Sequence, residues 1–326
     1  RGNKADGDLG TVQFESLLES FLILVALGGS AVWLRERSAI VAGEEGVFAR
    51  LVTDFTLPAL IFASLSREPF DPRKLELALT LFIAIAVVMI VAWVVGRWMR
   101  LERPVLGSLI LVSGVGSTST LGYSLIHSIY GDNPEVMSQV VIMGEFGVIL
   151  PLFTIGVAIA MYFGEDAADR PGFRASVTAF FRSPIFLALV AGLLASYIGL
   201  PQDNWAVGLL NAFLQVASDS LTLLVAFTIG LMLRPIASKQ LMSLIVLVAL
   251  LKLVLEPLVA GSLALALSVP ESQRDILLIE AAMPSGALAA VIAARYGCDG
   301  AVASALLIAT VGLSLLMIPL LGYFIL

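Results

Sequence analysis

The chain has 326 residues, 59% of them hydrophobic and 13% charged, with a formal net charge of −6. A soluble domain carries about a quarter charged residues, so this balance excludes an ordinary soluble protein; the charges sit in short loops rather than on a basic face, and no nucleic-acid partner is expected. One cysteine (Cys298) excludes an internal disulfide framework, and one histidine (His127) argues against a His-ligated metal centre.

Residues 1–12 are polar and glycine-containing and are expected to form a flexible leader, not a signal peptide. Ten apolar spans follow, over residues 13–34, 45–65, 74–98, 104–129, 134–163, 183–200, 205–232, 239–268, 274–296 and 300–324. Most come near the roughly 20 residues that cross a bilayer. Turn-forming residues punctuate them, as in Glu68-Pro-Phe-Asp-Pro72, Gly131-Asp-Asn-Pro134, Leu200-Pro-Gln-Asp-Asn204 and Arg234-Pro235. The hydrophilic stretch 164–182 separates two five-span halves, 13–163 and 183–326.

Beside the spans, eleven Lys and Arg collect on one side, among them Arg35, Arg97, Arg103, Arg182, Arg234 and Arg295, against six on the other. The richer side is expected to be cytoplasmic. That places the central linker inside and both termini outside a cell (inner) membrane. Trp33, Trp98 and Trp205 fall at span ends, where an aromatic belt would set them.

Shifting the second half by 166 residues aligns the five spans without a gap. It pairs Thr56 with Thr222, Pro69 with Pro235, Ser119 with Ser285 and Tyr130-Gly131 with Tyr296-Gly297. Because five is odd, the second copy must enter the membrane inverted. The expected fold is an all-α polytopic membrane protein of ten transmembrane helices in two inverted five-helix repeats. Secondary transporters built this way carry their sites at the repeat interface, near the midplane.

Two stretches interrupt the spans. Gly114-Val-Gly-Ser-Thr-Ser-Thr-Leu-Gly122 lies in the fourth and Glu280-Ala-Ala-Met-Pro-Ser-Gly286 in the ninth. A proline within a helix removes a backbone hydrogen bond, and in hydrocarbon the freed groups must be satisfied by protein or water. At 1.5 Å per residue both breaks sit roughly 15–20 Å into the bilayer. If the broken spans cross there, half-helix N-termini direct unpaired N–H groups and positive dipole ends at the crossing. An anionic substrate would suit that site, with Gly116, Ser117, Thr118, Ser119, Thr120, Met283, Pro284 and Ser285 as candidate binding residues. The plainer reading gives the glycines to helix packing, the hydroxyls to backbone carbonyls and Met283 to filling space.

Ionisable residues inside spans are candidates by default. They are Asp54, Glu145, Asp219, Glu256, Glu280 and the one deep base, Lys252. Lys252 and Glu256, four apart, form a structural salt bridge on the plainer reading. Asp54 and Asp219 are suited to capping a kink or snorkelling; Glu145 and Glu280, to carrying a coupling proton or helping to hold sodium. Asn211 and Gln215 share a face of the seventh span and either line the path or tie helices together.

Leu51-Val-Thr-Asp-Phe-Thr-Leu-Pro-Ala-Leu-Ile-Phe62, Gly116-Ser-Thr-Ser-Thr-Leu-Gly-Tyr123, Glu280-Ala-Ala-Met-Pro-Ser285 and Ala289-Val-Ile-Ala-Ala-Arg-Tyr-Gly297 resemble motifs of the auxin efflux carrier family. The resemblance spans essentially the whole chain, and the short central linker is similar to that of bacterial members. It implies crossing fourth and ninth helices at the substrate site. It also implies a scaffold of helices 1, 2, 6 and 7 and a mobile core of helices 3–5 and 8–10. Substrates in the family are organic anions such as auxin or small dicarboxylates. Ser117 stands where the family often has Asn, and Ser124 where it often has Pro. The broad architecture is also similar to that of bile acid:sodium symporters.

The expectation is a secondary transporter of a small organic carboxylate working by an elevator-like movement in membrane lipid, without a cofactor and not an enzyme. Proton or sodium coupling and a homodimer stay open. Sodium symport of the bile-acid-transporter type and a non-transporting ligand sensor are the alternatives.

Overall fold

The computed structural model describes residues 22–23, 25–37, 45–67, 75–131, 133–164, 181–199, 204–234 and 239–325. The expected leader, most of the 164–182 linker and the opening of the first span lie outside them. The described residues form helices α1 (25–36), α2 (45–67), α3 (Leu75–Trp98), α4 (Arg103–Gly114), α5 (118–130), α6 (134–163), α7 (Pro184–Ile198), α8 (Trp205–Met232), α9 (Lys239–Ala266), α10 (Glu271–Ala281), α11 (Ala287–Arg295) and α12 (Gly300–Ile325). Within this set the non-helical pairing is one isolated β-bridge.

Six of these helices, α2, α3, α6, α8, α9 and α12, are long and apolar enough to cross a membrane. The chain is therefore a multi-pass membrane protein. Ten spans were expected, and the others are shorter for identifiable reasons. The fourth span is divided into α4 and α5, and the ninth into α10 and α11, at the two expected breaks. The sixth is only the 15 residues of α7, and the first is described in part. Large apolar side chains such as Ile90, Val94, Leu187, Leu194, Val216, Leu258 and Leu316 are exposed, as befits surfaces solvated by lipid.

Helix ends are closed by cations. Arg35 donates to the carbonyls of Leu231 and Leu233 at the C-terminus of α8 (2.7 and 2.8 Å), and Arg103 to that of Tyr162 near the end of α6 (2.6 Å). Both satisfy orphan carbonyls where the helix dipole is negative.

Several spans widen locally into π-helix, at Val52–Thr56 in α2, Thr118–Gly122 in α5, Met143–Ile149 and Leu152–Gly156 in α6, and Leu251–Leu255 in α9. Three have a plain cause in the sequence. Pro58, Pro151 and Pro257 lack the N–H that the Asp54, Gly147 and Leu253 carbonyls would accept, and each ring crowds that same carbonyl. The turn before each proline opens as a result. Such π-turns often mark functional sites, and Asp54, Thr118, Glu145 and Lys252 all lie on one.

Helix α7 packs along α2, and α8 packs against both α2 and the α11–α12 pair. Helix α3 is flanked by α4, α6 and α9. This arrangement brings α4, α5, α9, α10 and α11 together around the two breaks.

Candidate functional site

Val115, Gly116 and Ser117 leave α4 in extended conformation and meet Ala282–Gly286 of the other broken span. Gly116 and Ser285 form an antiparallel bridge. Ser117 N–H donates to the Pro284 carbonyl (2.8 Å), and Gly286 N–H to that of Val115 (2.7 Å). The Ser285 hydroxyl donates to the Val112 carbonyl (2.7 Å). In an unbroken helix Val112 would accept from Gly116; Ser285 replaces that lost partner from across the crossing. Gly286 must be glycine, because a Cβ there would stand 2.8 Å from the Gly116 carbonyl oxygen.

The N–H groups of Ser117 and Gly286, which flank the two half-helix N-termini, are each taken by a carbonyl of the opposite break. Unpaired backbone groups in hydrocarbon are costly, and two broken helices settle that cost most directly by pairing with each other.

Lys252 projects from the π-turn of α9, is completely buried, and donates to Glu256 Oε1 at 2.5 Å. Its ammonium also reaches the crossing, since a Cβ on Gly116 would lie 2.8 Å from Nζ. Glu256 Oε2 has no hydrogen-bond partner among the described residues.

Glu280, the last-turn acid of α10, is fully buried with neither oxygen hydrogen-bonded among the described residues. It lies against Gly122 of α5, where a Cβ would fall 2.6 Å from Oε1, and within electrostatic range of Lys252. Thr118 is buried, its hydroxyl without a partner among the described residues, facing Gly144 of α6, and Glu145 follows on the same turn, half-buried. The site is thus a water-poor crossing with one cation, two carboxylates and spare oxygen acceptors.

Met283, Pro284 and Ser285 are buried at the crossing. Ser119 and Thr120 lie on the π-turn that opens α5, their side chains outside the described set. Asn211, Gln215 and Asp219 are not brought to the crossing. Their helix packs on α2, where the exposed Gln215 donates to Asp219 (2.8 Å). Asp54 is also elsewhere, at the end of α11, where Arg295 reaches its carboxylate (3.4 Å) and the Thr53 hydroxyl (3.2 Å). Cys298, in the turn between α11 and α12, packs against Gly107, and burial pushes its thiol up to about 12.

A cavity of about 680 Å³ opens elsewhere, lined by Trp93, Arg97, Arg103, Tyr162, Phe163 and Phe181. None of the crossing residues borders it.

The i, i+4 spacing predicts the Lys252–Glu256 pair but not the approach of Lys252 to Gly116. The available signal was Pro257, whose effect on the preceding turn re-aims Lys252.

A family model described as membrane transport protein matches residues 16–170 and 173–322. An uncharacterized transporter of Methanocaldococcus jannaschii is 22% identical over 284 residues, which is 86% of this chain and 89% of that protein. An uncharacterized transporter of Methanothermobacter thermautotrophicus is 26% identical over 306 residues, 92% and 95% of the two chains.

Proposed function

The chain belongs to the membrane transport protein family, that of the auxin efflux carriers its motifs resemble, and from that premise we propose that it is a secondary transporter of a small organic anion. The observation that carries this reading is the buried Lys252 ammonium set against Gly116, at the crossing where two broken helices exchange backbone hydrogen bonds. A carboxylate entering there meets a cation in a medium too poor in water to screen it. Ser117, Thr118 and Ser285 add hydroxyls beside it, and Glu280, Glu256 and Glu145 are the acids available for coupling.

Transport proceeds in this reading by alternating access. The ten spans form two inverted repeats, with helices 1, 2, 6 and 7 as scaffold and helices 3–5 and 8–10 as an elevator-like core. The cytoplasmic side holds the central linker, following the excess of Lys and Arg there. Inverted repeats with discontinuous helices at the midplane recur in secondary transporters.

The test is flux of labelled carboxylates, mono- and dicarboxylic, into or out of proteoliposomes under imposed proton or sodium gradients. Accumulation driven by one gradient, lost on replacing Pro284 or Ser117, is the expected result. Undiminished flux in both variants, or carboxylate binding with no flux under any gradient, would overturn the assignment.

A further inference from the structure

Lys252 carries three N–H donors, yet among the described residues it uses one, to Glu256. That one bond is made within α9, between residues four apart, while the ammonium lies against the opposing break at Gly116. Glu256 in turn holds its cation through Oε1 alone, with Oε2 unpartnered. A cation and its carboxylate, both buried and both short of partners, form an arrangement that is fully stable only when something else joins it.

We propose, building on the anion-transport reading, that Glu256 is an internal stand-in for the substrate, and that a substrate carboxylate displaces it from Lys252 while Glu256 takes up one proton. Binding is then electroneutral for the pocket. One anion and one proton enter, the carboxylate pairs with Lys252, and the proton, drawn from water on the side to which the site is open, bonds to a Glu256 oxygen. No covalent bond within the protein breaks.

The charge count of the pocket carries the argument. Ionised, Lys252 and Glu256 cancel. Adding an anion without a proton would leave a net negative charge in a buried site, which is far more costly than protonating a carboxylate. Charged groups on the surrounding elements do not relieve this. Helix α3, packed against α9, carries Glu76 and Arg97 near its two ends, and α12 carries no charged residue. Of the charges on α10, Glu271, Arg274 and Asp275 lie in its first turns, and Glu280 alone is buried toward the crossing. Helix α4 bears its one charge at the start, Arg103. Glu280, buried with neither oxygen hydrogen-bonded among the described residues, has no cation of its own and is counted as holding its proton before and after the anion arrives. The group whose compensation does change is Glu256.

The same geometry explains why the site favours a carboxylate over a neutral ligand. An uncharged molecule could not take over the ion pair with Lys252, and Glu256 would keep it. The bound Glu256 thus acts as a selectivity device as well as a proton acceptor, because any competitor must offer Lys252 an equivalent anionic oxygen.

The experiment uses the full chain in lipid nanodiscs. Malonate, benzoate and indole-3-acetate serve as probes, first by thermal shift and then by calorimetric titration in buffers of different ionisation heat, which counts protons. The expected result is uptake of about one proton for each carboxylate bound to the wild type. Glu256→Gln should bind without proton uptake and about tenfold more tightly, since the competing internal anion is gone. Glu280→Gln should keep the uptake. The neutral pair Lys252→Met/Glu256→Gln avoids leaving one buried charge alone and should fold while losing more than about thirtyfold in affinity.

Equal binding by the double variant, or proton uptake that persists in Glu256→Gln, would overturn this proposal while leaving anion transport intact. Binding that takes up no proton and requires sodium would do the same. Failure of the wild type to bind any of the three probes under all conditions, together with the absence of carboxylate flux, would overturn both.

Discussion

A methyl group added at Gly116 would come within 2.8 Å of Lys252 Nζ and 3.3 Å of its Cε. One added at Gly122 would stand 2.6–2.8 Å from the Glu280 carboxylate atoms. In each case the obstructing atom ends a flexible side chain, so the fold can yield, but only by moving the charged group that the site relies on. Gly116→Ala is therefore expected to leave the protein folded and to lower carboxylate flux about tenfold or more, because small displacements of a positioned group are heavily penalised. Gly122→Ala should act through Glu280 and alter the dependence on the driving gradient more than the affinity. Size-exclusion profiles and proteoliposome flux separate the two effects, and an unchanged flux in Gly116→Ala would mean that Lys252 does not serve the substrate. Removing Glu256 or Lys252 alone leaves an unpaired buried charge at a cost of ~3–5 kcal/mol of stability, so each single variant is read only on protein that size exclusion shows to be folded.

Between the two broken spans, stability rests on a few hydrogen bonds that substitute for helix. Ser285 is the clearest, since its hydroxyl occupies the place of the missing Gly116 N–H at the Val112 carbonyl. Ser285→Ala leaves that carbonyl buried and unsatisfied, at a cost of about 1–3 kcal/mol. It should lower the midpoint of thermal unfolding by a few degrees, and Ser285→Thr should restore it; equal midpoints for all three would show the bond to be unimportant. The location of this crossing was legible in the sequence, because Pro284 and the Gly114–Gly122 run are improbable inside hydrocarbon unless protein satisfies them. How the breaks satisfy each other was not legible. Periodicity describes one helix at a time, and the bridge between Gly116 and Ser285 joins residues from different halves. The same limit hid the charges. Lys252 and Glu256 read as an i, i+4 pair, and they are one, but their approach to Gly116 depends on the π-turn before Pro257 and on the packing of α9 beside α4. Asn211, Gln215 and Asp219 show the converse: polar residues on an apolar span invited a functional reading, whereas their helix packs on α2 away from the crossing.

Across the whole molecule, the proposed elevator divides α2 from α11, and among the described residues a polar contact ties these two together. Arg295, at the end of α11, bonds to Thr53 and pairs with Asp54, both on α2. Helix α2 belongs to the proposed scaffold and α11 to the proposed core, so the pair holds only in arrangements like this one. Side-chain exposures of 27% for Arg295 and 42% for Asp54 limit its strength, because solvent-accessible pairs contribute at most about 1 kcal/mol. A contact of that size, made in one state and lost in the other, shifts their populations or the rate of leaving by about fivefold and no more. Asp54→Asn and Arg295→Gln should each raise the carboxylate exchange rate by up to that factor, with the double variant no faster than the faster single, since the two remove the same interaction. High salt should reproduce part of the effect in the wild type by screening the pair. Loss of transport in either variant would point instead to a direct role for Asp54 with substrate or coupling ion, and strictly additive effects would show that the pair does not couple the two sides at all.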